Sequence, residues 1–132
     1  MDKRMVRQSP KRSQGSSLIE FAIALLIAIP IFMGVFDLGR AVYIHSVVSA
    51  AAQEGARYGI VHRTDTAGIQ NAARSQAVGL DPLLMNVAIS YPNSSTIVVT
   101  VSYDFTAVTP FIGAALGGGG RLTLSSTARM GN

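Results

Sequence analysis

The stretch "LIEFAIALLIAIPIFMGVF", residues 18–36, holds a single ionisable side chain, Glu20, in 19 positions. As a helix it would rise roughly 28 Å, enough to cross the hydrocarbon core of a bilayer. It is longer than the apolar region of a cleaved secretory signal. Of the 132 residues, 48% are hydrophobic and only 14% charged, which disfavours a soluble cytosolic domain. Beside such an anchor there is room for one small domain.

The net charge of +4 is concentrated at one end. Lys3, Arg4, Arg7, Lys11 and Arg12 face Asp2 alone, whereas the six arginines after Gly15 are balanced by six carboxylates. A nucleic-acid-binding domain would carry its basic patch on the folded body, and this body is neutral. A cationic tail directly before an apolar run is instead a topology signal that keeps the N-terminus in the cytoplasm. With no cysteine in the chain, disulfides, zinc–thiolate sites and thiol nucleophiles are excluded.

Past the apolar run, "DLGRAVYIHSVVSAAAQEGARYGIVH" keeps helical register without proline. One helix is therefore predicted from about Ser17 to Val61, on the order of 65 Å long. Its first half is apolar all round and its second half, 37–61, amphipathic. Pro30 removes one hydrogen bond within it and, with Gly34, predicts a kink or softened turn. "TDTAGIQNAARSQAVGL" predicts a short helix capped by Asp65 or Thr66 and ended by Gly79. "LLMNVAISY", "STIVVTVSYDF" and "RLTLSSTARM" read as three strands, with "PNSS" as the turn between the first two. "TAVTPFIGAALGGGG" is an apolar connection ending in a glycine run. The expected fold class is α+β: a long membrane-spanning helix, one short helix, and a three-stranded antiparallel sheet covered by the helix's amphipathic half.

Glu20 is costly at the edge of hydrocarbon, and its surroundings suggest why it is there. Gly15, Ser16, Glu20 and Phe21 form "GSSLIEF" between a basic tail and a spanning helix. This resembles the signal of type IV pilin-like proteins, in which a prepilin peptidase cuts after the glycine and the glutamate becomes the fifth residue of the mature chain. The resemblance implies a leader of residues 1–15 and a new amine on Ser16. It also implies that Glu20 and Phe21 serve subunit assembly, the carboxylate of one subunit meeting the amine of its neighbour. Pairing offsets the cost of burying each charge. Together the Glu20–Phe21 pair, Pro30, the acidic-x-Gly-Arg stretch at Asp37–Arg40 and "EGARY" at Glu54–Tyr58 resemble the TadE-like family, minor pilins or pseudopilins of tight-adherence pili. The likeness covers about residues 14–61 well and about 97–130 more loosely.

Other polar and small residues have more local readings. Asp37 and Arg40 would lie near the far bilayer surface as an interfacial ion pair, with a contact between subunits as the alternative. Glu54 and Arg57 have the same spacing and the same two readings. Ala51, Gly55 and Gly59 form a small-residue ridge, expected to pack on the protein's own sheet and otherwise on a neighbouring subunit.

Enzymatic readings find little support. His45 and His62 lie too far apart along one helix to share a site, and no metalloprotease, nucleophile-elbow or phosphate-loop pattern occurs. The "LGGGGR" run lacks the Lys-Ser/Thr of a phosphate loop. Asp65 and Asp81 read as capping and turn residues. No metal or cofactor is implied.

The expected division is therefore a cleaved leader at 1–15, a long helix at 16–61 with its span at about 18–36, and an extracytoplasmic α+β domain at 62–132. The implied partners are a prepilin peptidase, other pilins with the inner-membrane assembly machinery, and membrane lipid; nucleic acid is not among them. An uncleaved, single-pass scaffold or binding domain outside any filament is the alternative.

Overall fold

The computed structural model describes residues 13–109, 114 and 121–131. The basic tail before Ser13, most of the apolar connection and the glycine run at 117–120 lie outside the described residues. Helix α1 (Ser13–Val61) is a single element of 49 residues that continues through Pro30. It begins four residues before the expected start. Proline has no N–H to give the carbonyl one turn back, yet both flanking segments remain helical. The continuous run of helix formers on either side tolerates that missing bond.

Among the described residues, the core contacts of α1 come from its second half. Ile44, Val48, Ala51, Ala52 and Ala56 recur every three or four residues and are buried, the spacing that puts side chains on one helix face. Helix α2 (Thr66–Gln76) packs beside this face through Ile69 and Ala73. Asp65 caps it: one carboxylate oxygen accepts the Gly68 N–H at 2.8 Å and the other accepts the Tyr58 hydroxyl at 3.0 Å. The Gly68 N–H, followed by the Tyr58 hydroxyl, holds the Asp65 carboxyl below its ordinary range. The helix ends at Gln76, earlier than the expected stop. Gly79, at φ +83°, turns the chain three residues later, a conformation glycine adopts without steric cost.

Strands β1 (Met85–Asn93), β2 (Thr96–Thr106) and β3 (Arg121–Gly131) form an antiparallel sheet in the order β1-β2-β3. The expected first strand starts two residues late, because Pro82–Leu84 form a 3₁₀ turn in which the Leu83 N–H donates to the Asp81 carboxylate at 2.9 Å. The hairpin closes on Ser94 and Ser95, with Asn93 pairing Thr96 across it. The ladder is irregular between Ser90 and Asn93, which accommodates Pro92, a residue with no N–H for pairing.

Alternation assigns the sheet's two faces. Met85, Val87, Ile97, Val99, Val101, Phe105 and Ala128 lie on the helix-covered face and are buried. Each fully buried aliphatic side chain contributes about 1.5–3 kcal/mol. On the far side Thr100 and Thr127 share a 3.0 Å hydroxyl contact, and Thr123 donates to Asp104 at 2.8 Å. Arg63, just past α1, fastens the hairpin to the helix end. Its guanidinium donates to the Thr96 carbonyl at 2.9 Å, and its own carbonyl accepts the Tyr91 hydroxyl at 2.6 Å.

Candidate assembly and membrane-anchoring surface

The apolar half of α1 is exposed among the described residues. Phe21, Leu26, Phe32 and Phe36 are 62–77% exposed, and none of the most apolar window of the helix is buried within the molecule. Water is a poor solvent for a surface of this size and uniformity. Gly15, Ser16, Glu20 and Phe21 lie exposed near the start of this half. Glu20 has no ion-pair partner among the described residues. The Gly15–Ser16 peptide is itself helical, and space is open around Gly15, with no heavy atom within 4 Å of a Cβ built there.

Asp37 marks the end of the exposed half and is only 4% exposed. The pairing with Arg40 expected from their spacing is present, at 3.8 Å, but it is not the residue's main contact. Its two carboxylate oxygens accept the backbone N–H groups of Val108 at 3.2 Å and Thr109 at 2.8 Å. Asp37 therefore clasps the exit of β2 to the helix. Thr109, through its hydroxyl and its N–H, holds the Asp37 carboxyl below its ordinary value of 3.8 against the opposing effect of burial, with Val108 and Arg40 assisting. The hydroxyl completes no hydrogen bond of regular geometry, so we assign the effect chiefly to the two N–H groups, which point at the oxygens. Arg40 lies over the Phe105 ring at 5.2 Å, a cation–π contact on the last turn of β2.

The clasp predicts a pH dependence. A carboxyl acidified by folding adds stability that is complete above its unfolded pKa and disappears as pH falls through the folded value. Urea unfolding of the full chain in detergent micelles is expected to show the protein losing stability between about pH 5 and pH 2. Asp37→Asn should lower stability at neutral pH and shrink that acid loss. An acid limb identical to wild type would show that the clasp carries no charge-dependent stability.

The small-residue ridge is used inside the protomer. Ala51, Gly55 and Gly59 are buried. A Cβ on Gly55 would meet Ala73 Cβ and Val99 Cγ1, each at 3.2 Å, and one on Gly59 would run into Ile97 Cδ1. The packing expected on the protein's own sheet is thus present, together with a contact to α2. Glu54 and Arg57 depart from expectation: no ion pair joins them among the described residues. Glu54 is half-buried and Arg57 exposed, so the two lie in different surroundings one turn apart.

His62 stacks on Tyr58 with ring centroids 4.5 Å apart, and His45 lies exposed on the helix much earlier in the chain. Val108, Thr109, Phe105 and Arg63 were not singled out by the sequence. The signals available were an uncharged stretch after Phe105 and a lone arginine after the helix, and neither names its partner.

No curated protein and no solved structure matches the chain. Residues 15–57 match the family model described as TadE-like protein. The match begins at the glycine before the expected cut, ends one residue short of Tyr58, and does not reach the looser likeness read at 97–130. The resemblance carried by Glu20–Phe21, Pro30 and Asp37–Arg40 is therefore one to the TadE-like family, a structural family associated with tight-adherence pili.

Proposed function

We propose that the chain is a minor pilin or pseudopilin of a tight-adherence pilus, held in the membrane by α1 and cut after Gly15 by a prepilin peptidase. The observation that carries the reading is the exposed apolar half of α1, with Glu20 as its lone carboxylate among residues 15–36 and no ion-pair partner for it among the described residues. Such a surface suits lipid before assembly and other apolar helices afterwards. Cleavage would put the Ser16 amine at the helix tip, four residues before Glu20. A neighbour displaced along the axis could then match amine to carboxylate, and a misplaced one would leave two charges unpaired. The cationic tail holds the leader in the cytoplasm and sends the domain at 62–132 outside. His45 and His62 take no catalytic part in this reading.

One observation favours an uncleaved, anchored scaffold instead: the bond to be cut lies within helix, so a protease must first unwind it. Glycine at this position lowers that cost. Intact mass of the protein from membranes with and without a prepilin peptidase separates the two readings. The pilin loses residues 1–15 only when the peptidase is present, and Gly15→Leu should block the cut while leaving membrane insertion unchanged. Normal processing of that variant would move the cleavage site elsewhere.

A further inference from the structure

The two ends of the domain differ in what their loops expose. Arg63 donates to the Thr96 carbonyl, so the β1–β2 hairpin closes beside the far end of α1. Its tip, Asn93, Ser94 and Ser95, is polar and exposed. Arg40 lies over Phe105, and the Val108 N–H meets Asp37, so β2 leaves the sheet next to the apolar half of α1. Met85 pairs with Tyr103, which puts the start of β1 at that same end, together with the α2–β1 connection before it. A Cβ on Gly79 would lie 3.8 Å from the Tyr43 hydroxyl, so the connection also runs beside α1 there. This connection turns large apolar side chains outward: Leu83 is 92% exposed, Val78 73% and Leu84 44%.

Local chemistry holds Leu83 in that position. Pro82 opens the 3₁₀ turn and Asp81 accepts the Leu83 N–H at 2.9 Å. Asp81 is also the one charged residue in 75–84. Along α1, Arg40 and Tyr43 stand about 6 and 10 Å beyond Phe36, and the headgroup layer outside the hydrocarbon is roughly 5–8 Å deep. Helical side chains tilt toward the N-terminus, so the exposed Tyr43 leans back toward the span, a placement favoured for aromatics at membrane interfaces. We infer that the α2–β1 connection is a second membrane contact, in which Leu83, with Val78 and Leu84, enters the headgroup–acyl boundary of the bilayer that α1 crosses. Lipid is the occupant because the span sets the level of the loop. The contact is apolar, because no cation stands in the loop to select an anionic headgroup. This rests on the reading of α1 as a membrane span and not on cleavage or filament entry, and it adds a contact made by the folded domain itself. One span alone leaves rotation and tilt open; a second contact away from the helix axis fixes both.

The chain has no cysteine, so Leu83→Cys, Ser94→Cys and Leu26→Cys each accept a single nitroxide label. The full chain is reconstituted in palmitoyl-oleoyl-phosphatidylcholine vesicles at many lipids per protein, without peptidase or other pilins. Collisions with a water-soluble nickel chelate then report how far each label is shielded. They should be several-fold rarer at 83 than at 94, and rarest at 26. Equal access at 83 and 94, with 26 shielded, would overturn the loop contact and leave α1 a span. Free access at 26 would overturn both. Shielding of 83 confined to crowded vesicles would assign the loop to a second copy, and shielding that needs added phosphatidylglycerol would assign it to charge; either result overturns the inference. Leu83→Asp spares the core, because the side chain is almost wholly exposed, and it should raise nickel access several-fold at a label on Val78→Cys. No rise there would remove Leu83 as the anchor of the contact.

Discussion

Glu20→Gln is expected to leave cleavage and membrane insertion intact while removing most incorporation into pili. Glutamine keeps the size and part of the hydrogen-bonding capacity, and the span loses a costly charge, so anchoring does not suffer. What changes is the neighbour. Its Ser16 amine would enter an apolar helix bundle with no counter-charge, and stranding one member of a buried pair costs on the order of a few kcal/mol. At 1.4 kcal/mol per factor of ten, a single such contact lowers incorporation by a factor on the order of a hundred. Pilus yield, or co-purification with other pilins at matched membrane levels, reads the effect. Assembly unchanged from wild type would remove the pilin mechanism and leave the anchored scaffold, with the fold unaffected.

Gly59→Leu is expected to damage the domain rather than assembly. Around this glycine, Ile97 Cδ1 and Ile69 Cδ1 already stand where a side chain would go. Both isoleucines are fully buried and have nowhere to retreat. Overpacking of this kind costs about 3 kcal/mol, enough to unfold a small domain of ordinary stability for much of the time. Gly39→Ala is the matched control. Nothing lies within 4 Å of its added Cβ, and relief of glycine's backbone freedom should add about 0.5–1 kcal/mol. Melting of the two variants in detergent micelles, followed by near-ultraviolet circular dichroism, should move in opposite directions. A Gly59→Leu protein as stable as wild type would mean that α1 does not seat on the sheet as described.

The elements legible in the sequence were those fixed by local chemistry. The apolar run and its amphipathic continuation set α1, Asp65 set the start of α2, and β-branched alternation set β2. Boundaries moved where local chemistry competed with itself. Leu83 and Leu84 look like strand residues, but Asp81 and Pro82 draw them into a turn. What could not be read was long-range pairing. Asp37 was visible as a carboxylate near the membrane surface, yet its partners are backbone N–H groups 71 and 72 positions away, and backbone leaves no mark in the residue names. Arg63 reaches carbonyls across the hairpin for the same reason. Glu54 and Arg57 show the converse: spacing permits a pair, and the surroundings decide whether it forms. The ridge at Ala51, Gly55 and Gly59 was visible as a place of close approach, while what approaches it depended on how the sheet folded back.

Because α1 is one uninterrupted helix from the apolar run to the far end of the core, a load applied to its exposed apolar half travels straight into the domain. Strands β2 and β3 lie against α1, and the Asp37 clasp fastens the β2 exit at the lower edge of that contact. Axial pull would therefore strain many side-chain contacts at once instead of peeling them apart singly. A subunit drawn out of the bilayer by its neighbours would bring its domain along intact, with the first yielding expected at the two N–H bonds to Asp37.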